Sequence, residues 1–224
     1  MRALTGLLML ALVACASPQP ATDGTGDEAG GVVGSALLVD PPSCVVVMPA
    51  EVPPLVGLPP AVAEAALARH LSGRIERVIG PSRRDAFTRR VGLDLEHSDD
   101  RRRFADLAGC SHAVASRFWG GRAWGLVWSE TQIGVEIAIL AFADGRPRWH
   151  ARRTIRRGDG GLPLSPVSAV VATGLAARTA LDGDVLHSVL DDALRAALSD
   201  LPDLRDPQAF ASRNSSVSPL SSRK

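Results

Sequence analysis

Residues 132–143 constrain the fold more than any other segment, because they form a long apolar run that is rich in β-branched side chains. Such a run predicts a buried strand. Asp144 and Gly145 follow, and this dipeptide favours a tight hairpin turn because both residues tolerate left-handed dihedrals. Residues 148–156 then alternate between apolar and charged side chains, as a returning strand does. This part of the chain is therefore predicted to form an antiparallel meander.

The preceding part of the chain has the pattern of a parallel sheet. Residues 45–48 are continuously apolar, which is typical of a strand buried on both faces. Further elements are predicted as helices at 61–74, 83–91, 101–108, 167–179 and 182–199, and as strands at 77–79 and 111–119. We therefore expect an α/β fold with a three-layer-like mixed sheet. Its parallel start has the order β-α-β-α-α-β, and an antiparallel meander and C-terminal helices follow.

Three local signals refine these boundaries. Ser82 and Asp85 resemble a capping box at the start of the helix predicted at 83–91. Gly120 and Gly121 predict a turn that ends the third strand. Residues 157–166 are rich in Gly and Pro, and they predict a loop after the last strand.

Composition and charge exclude several classes of protein. The 25 basic and 24 acidic residues nearly cancel, so nucleic acid is not expected as a partner. A hydrophobic fraction of 46% and a charged fraction of 22% are typical of a globular domain and not of a disordered chain. The five histidines lack the spacing of metal-binding motifs, so no metal site is expected.

The N-terminus has the features of a lipoprotein signal. Arg2 precedes an apolar run at residues 4–13, which is too short to span a membrane. The residues Leu12, Val13, Ala14 and Cys15 resemble the lipobox of bacterial lipoproteins. That resemblance implies removal of residues 1–14 and attachment of a diacylglycerol and an acyl chain to Cys15. The alternative is an ordinary secretory signal in which the cysteine is incidental.

The residues after the signal divide into three parts. The resemblance places Cys15 at the start of a flexible tether over residues 15–40, which are rich in Gly, Pro, Ala and Asp. A single periplasm-facing α/β domain is predicted over residues 41–206, and a disordered tail over 207–224. Ala16 and Ser17 after the cysteine resemble the pattern of outer-membrane sorting, so the outer membrane is favoured over the inner one.

The domain also resembles a group of Gram-negative envelope lipoproteins, on the evidence of residues 44–54, 106–114 and 135–149. The group includes the curli-secretion lipoprotein, the lipoprotein activators of penicillin-binding proteins and a meningococcal-type outer-membrane lipoprotein family. The likeness covers about residues 45–200 and carries no catalytic motif. The chain departs from the curli-secretion pattern because it lacks additional amphipathic hairpins long enough for a pore.

Cys44 and Cys110 are predicted to form a disulfide, because an envelope compartment is oxidising. Cys44 opens the first strand and Cys110 directly precedes the third. In a sheet of order 2-1-3 these two strand starts are neighbours, which brings the cysteines together. The alternative is a pair of buried free thiols.

Two further sets of side chains are candidates for binding. The aromatic residues Phe118, Trp119, Trp124 and Trp128 lie close together in sequence, and they either contact a partner or the bilayer, or belong to the core. Arg148, Arg152 and Arg156 share one face of the last strand. They either bind an anionic lipid or glycan, or form a solvated edge that resists aggregation.

No nucleophile elbow, phosphate-binding loop or dinucleotide fingerprint is present, so the chain is not expected to be an enzyme. The leading interpretation is a non-catalytic binding or accessory factor in envelope assembly, secretion or cell-wall synthesis. Its expected partners are the membrane, through the lipid, and an envelope protein, and no cofactor is expected apart from the covalent lipid. The alternatives are a subunit of an oligomeric outer-membrane secretion channel and, third, an envelope hydrolase, which would need a pocket that gathers His, Ser and Asp.

Overall fold

The structure is a computed structural model that describes residues 32–33, 37, 40–124, 128–160 and 183–205. The strands in this part are β1 (Val32–Val33), β2 (Cys44–Val47), β3 (Arg77–Ile79), β4 (His112–Trp124), β5 (Trp128–Ala141) and β6 (Pro147–Gly160). The helices are a 3₁₀ helix (Pro54–Val56), α1 (Pro60–Ser72), α2 (Pro81–Val91), α3 (Ser98–Ala108) and α4 (Gly183–Ala197). The strands form one sheet in the order β1-β6-β5-β4-β2-β3.

The sheet is mixed, as the sequence predicts. β2 lies between β3 and β4 and pairs with both in parallel, so the predicted 2-1-3 order of the first strands is correct. β4, β5 and β6 then form an antiparallel meander. The turn between β5 and β6 contains Gly145 at a φ of 68°, a left-handed conformation that suits glycine. These features confirm an α/β fold with a parallel start and an antiparallel finish.

The turn predicted at Gly120 and Gly121 does not exist, because β4 continues without interruption to Trp124. Gly120 has a φ of 115°, and a Cβ at this position would collide with the carbonyl group of Gln132 on β5. A Cβ at Gly121 would lie 2.8 Å from the carbonyl oxygen of Leu55. The two glycines therefore allow neighbouring backbones to approach closely within a strand, instead of reversing the chain.

The loop predicted at residues 157–166 also begins later than expected. β6 remains paired with β5 up to Gly160, with Arg157 opposite Thr131 and Gly160 opposite Trp128. The strand pairing in this region overrides the weak strand preference of its glycines. Residues 161–182, including the helix predicted at 167–179, lie outside the described residues.

The capping box predicted for α2 is also wrong. The helix begins at Pro81, so the capping position is occupied by Gly80, which has no side chain to make a capping hydrogen bond. Pro81 suits the first helical position because its missing N–H group would have no partner there. The carboxylate of Asp85 instead accepts a hydrogen bond from Nε of Arg84 at 2.8 Å.

The main core lies between one face of the sheet and the helices α1 and α4. Its fully buried members include Val45, Leu67, Leu71, Phe118, Ile133, Ile137, Trp149, Leu190 and Leu194. A smaller cluster contains Cys44, Val46, Phe104 and Cys110, and Phe87 of α2 packs against it. The helix predicted at 182–199 contributes an apolar side to this core, where Val189, Leu190, Leu194 and Leu198 are all buried.

Part of the predicted tether takes part in the fold. Val32 and Val33 pair antiparallel with His150 and Trp149 of β6, and Leu37 is buried in the main core. The signal peptide, Cys15 and the predicted tail at 207–224 lie outside the described residues. Among the helices that are described, none is long and apolar enough to cross a membrane.

Candidate functional site

The candidate site is the face of β4, β5 and β6 that is directed away from the main core. Residues paired directly across an antiparallel sheet share a face. Two rows of paired residues therefore lie on this face, Arg117–Glu136–Arg152 and Trp119–Gly134–Thr154. Gln132, His150 and Arg156 lie on the same face. Arg117, Arg152, Thr154 and Arg156 are exposed, whereas their neighbours Phe118, Ala151 and Ile155 point to the side that the main core covers. We call this surface the open face.

Trp119 is held on the open face by its neighbours. A Cβ on Gly134 would overlap atoms of the Trp119 indole, so the ring lies directly on the backbone of β5. The guanidinium carbon of Arg152 lies over the same ring, 4.6 Å from its centroid, as in a cation–π contact. The side chain is half-buried. This stack joins three adjacent strands and gives the open face a rigid centre.

The charges of the open face are mostly paired across strands. Glu136 Oε1 lies 2.9 Å from His150 Nε2, and the guanidinium of Arg156 lies 4.0 Å from Glu130. The guanidinium of Arg117 lies 3.7 Å from Glu51, in the segment that follows β2. These pairs are exposed, so each contributes little to stability and remains available to a partner.

The predicted aromatic cluster is divided by the fold. Phe118 is fully buried in the main core, so its prediction as a contact residue is wrong. Adjacent residues on a strand point to opposite faces, and therefore Trp119, the next residue of β4, reaches the open face. Trp124 ends β4 and Trp128 begins β5, so their backbones lie at the far end of the β4–β5 hairpin. Their role as partner or membrane contacts stays a prediction, because their side chains lie outside the described part.

The three arginines predicted on one face of the last strand do share the open face, but they are not equivalent. Arg148 is only 19% exposed and its guanidinium lies 3.0 Å from the carboxylate of Asp144. Arg152 lies on Trp119, and Arg156 extends into solvent with 64% of its side chain exposed. The surface available to an anion is therefore centred on Arg152 and Arg156.

A cleft of about 950 Å³ lies beside the open face, between the α2–α3 connection and the β5–β6 turn. Small residues of β4, Ala113 and Ala115, contribute to its lining, together with apolar residues such as Leu93, Leu95 and Phe142. The sequence patterns do not predict this cleft. Its only sequence signal is the small size of alternate residues on β4.

Arg84 borders this cleft, but its donors are used within the fold. Its guanidinium lies 2.8 Å from Glu64 and 2.8 Å from Asp85, and it donates to the carbonyl oxygen of Val47 at 2.8 Å. The second oxygen of Glu64 accepts a hydrogen bond from the backbone N–H of Ala50. Both Arg84 and Glu64 are buried. The pair therefore connects α1, α2 and the end of β2 structurally, instead of serving a ligand.

The structure does bring a serine, a histidine and an aspartate together. Ser111 Oγ lies 2.8 Å from His112 Nδ1, and His112 Nε2 lies 3.6 Å from the carboxylate of Asp40. The imidazole is fully buried, and burial lowers the pKa of His112 while the nearby Asp40 opposes that shift. A base that no substrate can reach does not support catalysis. The contact with Ser111 instead fixes the orientation of the His112 ring at the start of β4.

Cys44 and Cys110 are joined as a disulfide in the structure, with their Cα atoms 5.1 Å apart. The bond connects the start of β2 with the short segment between α3 and β4. The guanidinium of Arg77 donates to the carbonyl oxygen of Ala108 at 3.1 Å and lies 3.7 Å from the Cys110 sulfur. Within the described ranges, no group of three or more His, Cys, Asp or Glu side chains is arranged to hold a metal ion.

No protein-family model matches the chain. No curated protein matches it either. Among solved structures, lipoprotein GNA1162 from Neisseria meningitidis is similar over 62% of this chain and 99% of its own, with 15% identity and a TM-score of 0.41.

The PelC dodecamer from Paraburkholderia phytofirmans is similar over 69% of this chain and 85% of its own, with 17% identity and a TM-score of 0.38. Protein XCC0632 from Xanthomonas campestris is similar over 70% of this chain and 86% of its own, with 12% identity and a TM-score of 0.32. Each of these structures resembles this chain in the path of its backbone, at low sequence identity.

Proposed function

We propose that the protein is a lipid-anchored, periplasm-facing binding protein of the bacterial envelope, without catalytic activity. It acts as an accessory factor in envelope assembly, secretion or cell-wall synthesis, and it binds a protein partner through the open face. The observation that carries this proposal is the set of exposed side chains on the open face, Arg117 of β4 and Arg152, Thr154 and Arg156 of β6. A sheet face with polar side chains around a fixed tryptophan is suited to protein contact.

The anchor in this proposal is Cys15, whose surroundings resemble a lipobox. One acyl chain holds a protein at a membrane only reversibly, whereas two or more chains hold it stably. Anchoring concentrates the domain at one membrane, preferably the outer one, and raises the effective concentration of the open face near its partner. The anchor therefore determines at which membrane the protein is located, and the open face determines which partner it binds.

The far end of the β4–β5 hairpin extends the proposed binding surface. Trp124 and Trp128 lie at the strand ends there, on either side of the connection between β4 and β5. Tryptophan contributes large contact areas at protein interfaces and at membrane surfaces. We place both residues in the partner contact as part of the same proposal.

Fractionation tests the anchor. The variant Cys15→Ala should carry no lipid, and the molecules from which the signal has been removed should accumulate in the soluble periplasmic fraction. Its total amount in whole-cell extracts serves as the expression control. Retention in the membrane with the signal removed would contradict lipid anchoring at Cys15.

Crosslinking in intact cells tests the binding surface. A photoreactive amino acid at Thr154 or Arg117 should capture one defined envelope protein. The same group at Arg69, which is exposed on α1 away from the open face, should not capture it. Equal capture at all three positions, or none at the first two, would contradict the open face as the binding surface. Crosslinks between copies only, together with a stable ring in gentle detergent, would favour the secretion-channel alternative.

A further inference from the structure

We infer that the outer edge of β6 binds an acidic, extended segment of a protein partner as an added strand. The inference rests on the proposed binding function and assigns a chemistry to the partner. It concerns the backbone edge at residues 151–158, which borders the open face. We call these residues the β6 edge.

Among the described residues, the β6 edge has no strand partner on its outer side. On its inner side β6 is paired with β5 from Pro147 to Gly160. On its outer side, within the described residues, only His150 and Trp149 have partners, which are Val32 and Val33 of β1. The remaining edge spans eight residues, or roughly 26 Å at about 3.3 Å per residue. That length accommodates a typical strand.

The geometry of this edge is suitable for strand addition. β1 already pairs with β6 in the antiparallel direction, so the edge accepts a strand at its beginning. The register shift between β5 and β6 lies at Ile139 and Leu140, outside the β6 edge, and the pairing from Arg153 onward is regular. The β6 edge contains no proline. Bulges and prolines are two common devices that prevent strand addition, and neither protects this edge.

The arginine side chains along the β6 edge indicate the charge of the strand that it would bind. Arg153 and Arg157 point to the core side, where ion pairs of 2.9 Å with Asp200 and 2.6 Å with Asp192 compensate them. Arg152 and Arg156 remain on the open face. Among the described residues, Arg152 has no carboxylate within ion-pair distance, and Arg156 has only Glu130 at 4.0 Å.

These two arginines favour a carboxylate-bearing strand over a second copy of β6. A second β6 strand would bring arginines opposite one another, and like charges in direct cross-strand positions are destabilising. A partner strand with acidic residues at two positions four apart would place each carboxylate opposite Arg152 or Arg156. Backbone hydrogen bonds would supply affinity, and the two charge pairs would supply register.

The test uses the full chain and a synthetic extended peptide of β-branched residues with Glu at two positions four apart. Binding should be saturable in fluorescence anisotropy, and backbone amides within residues 151–158 should exchange more slowly with solvent. The double variant R152E/R156E should weaken binding about tenfold or more. The matched control R102E/R103E, which changes two exposed arginines of α3, should leave binding unchanged.

Two control peptides separate strand pairing from charge attraction. A peptide with Lys in place of Glu should bind at least about tenfold more weakly. A peptide N-methylated at alternate residues keeps its charge but cannot form the ladder, and it should not slow amide exchange. Equal binding of either control peptide would overturn the inference, and so would the absence of binding.

The acidic residues of the chain itself provide a last comparison. Asp23, Asp27 and Glu28 precede β1 in the chain, and their carboxylates could compete with a partner for the β6 edge. The variant D23N/D27N/E28Q removes these charges and tests that competition. Binding of the peptide only by this variant would overturn the partner assignment, because the chain's own residues would then compete for the edge. Failure of peptide binding with normal crosslinking at Thr154 would overturn this inference alone and leave the proposed function intact.

Discussion

At the scale of single residues, Gly134 shows how one missing side chain shapes the open face. The Trp119 ring occupies the space that a Cβ at Gly134 would need. Gly134→Ala should therefore displace the ring and lower the free energy of unfolding by about 1–3 kcal/mol. Chemical denaturation measures this change. Gly158→Ala is the control, since its Cβ would meet nothing closer than 3.5 Å and the variant should be nearly neutral.

The same effect should depend on Trp119. In a Trp119→Ala background the added methyl group of Gly134→Ala has room, so the two changes should be strongly non-additive. Additive losses in a double-mutant cycle would show that the ring is not what excludes a side chain at Gly134.

His112 should make stability depend on pH. Burial lowers its pKa below the ordinary value of 6.5, with Asp40 and Asp144 acting against this shift and Arg148 adding to it. As the pH falls below about 6.5, the unfolded state therefore binds more protons than the folded state. The free energy of unfolding should decrease from pH 7.5 towards the lower folded-state pKa. It should decrease less in His112→Gln, and denaturation at several pH values measures the difference.

The control for this prediction is His97→Gln, a change of an exposed histidine on the connection to α3. It should leave the pH profile of stability close to that of the unchanged protein. A profile that is identical for the protein and for His112→Gln would contradict the assignment.

Glu64 and Arg84 form a buried ion pair at 2.8 Å. Arg84→Met would leave the Glu64 carboxylate buried without its partner, which should cost about 3–5 kcal/mol of unfolding free energy. Arg102→Met, which breaks the exposed pair with Asp99, should cost less than about 1 kcal/mol. Comparable losses in the two variants would contradict a structural role for the buried pair.

At the scale of elements, the disulfide should be the strongest single constraint on the parallel half of the sheet. Cys44 and Cys110 are 66 residues apart in sequence. Closing a loop of that length stabilises the folded state by roughly 4 kcal/mol in the chain-entropy model. The variant C44S/C110S should therefore lose stability of that order in thermal or chemical denaturation.

Reduction of the unchanged protein provides the matched comparison. Treatment with a reductant should lower its stability towards that of C44S/C110S, and the variant itself should not respond. Mass mapping that found free thiols at both positions in the unreduced protein would contradict the bond.

Elements with strong local patterns could be predicted from the sequence, and their ends could not. The run at 132–143 with its Asp144–Gly145 turn indicated the β5–β6 hairpin, because the apolar pattern and the turn residues agree. Gly120 and Gly121 were misleading, since a glycine pair signals either a turn or a close backbone approach. Only the neighbouring strand, which the sequence does not display, decides between the two.

The candidate site was harder to predict for the same reason. Arg148, Arg152 and Arg156 could be assigned to one face because side chains alternate on a strand. Their different surroundings, Asp144 for Arg148 and Trp119 for Arg152, depend on contacts that the sequence pattern does not contain. The burial of Phe118 beside a half-buried Trp119 likewise required knowledge of which face the helices cover.

At the scale of the whole molecule, the two-residue ladder between β1 and β6 determines where the domain is attached to what precedes it. A chain that starts at Cys15 and enters the sheet at Val32 can extend at most about 60 Å. A lipid at Cys15 would thus keep Val32, where the domain is attached, within that distance of the membrane surface. A partner of the open face or the β6 edge must therefore come within this reach plus the width of the domain, so the attachment at β1 limits how far from the membrane binding can occur.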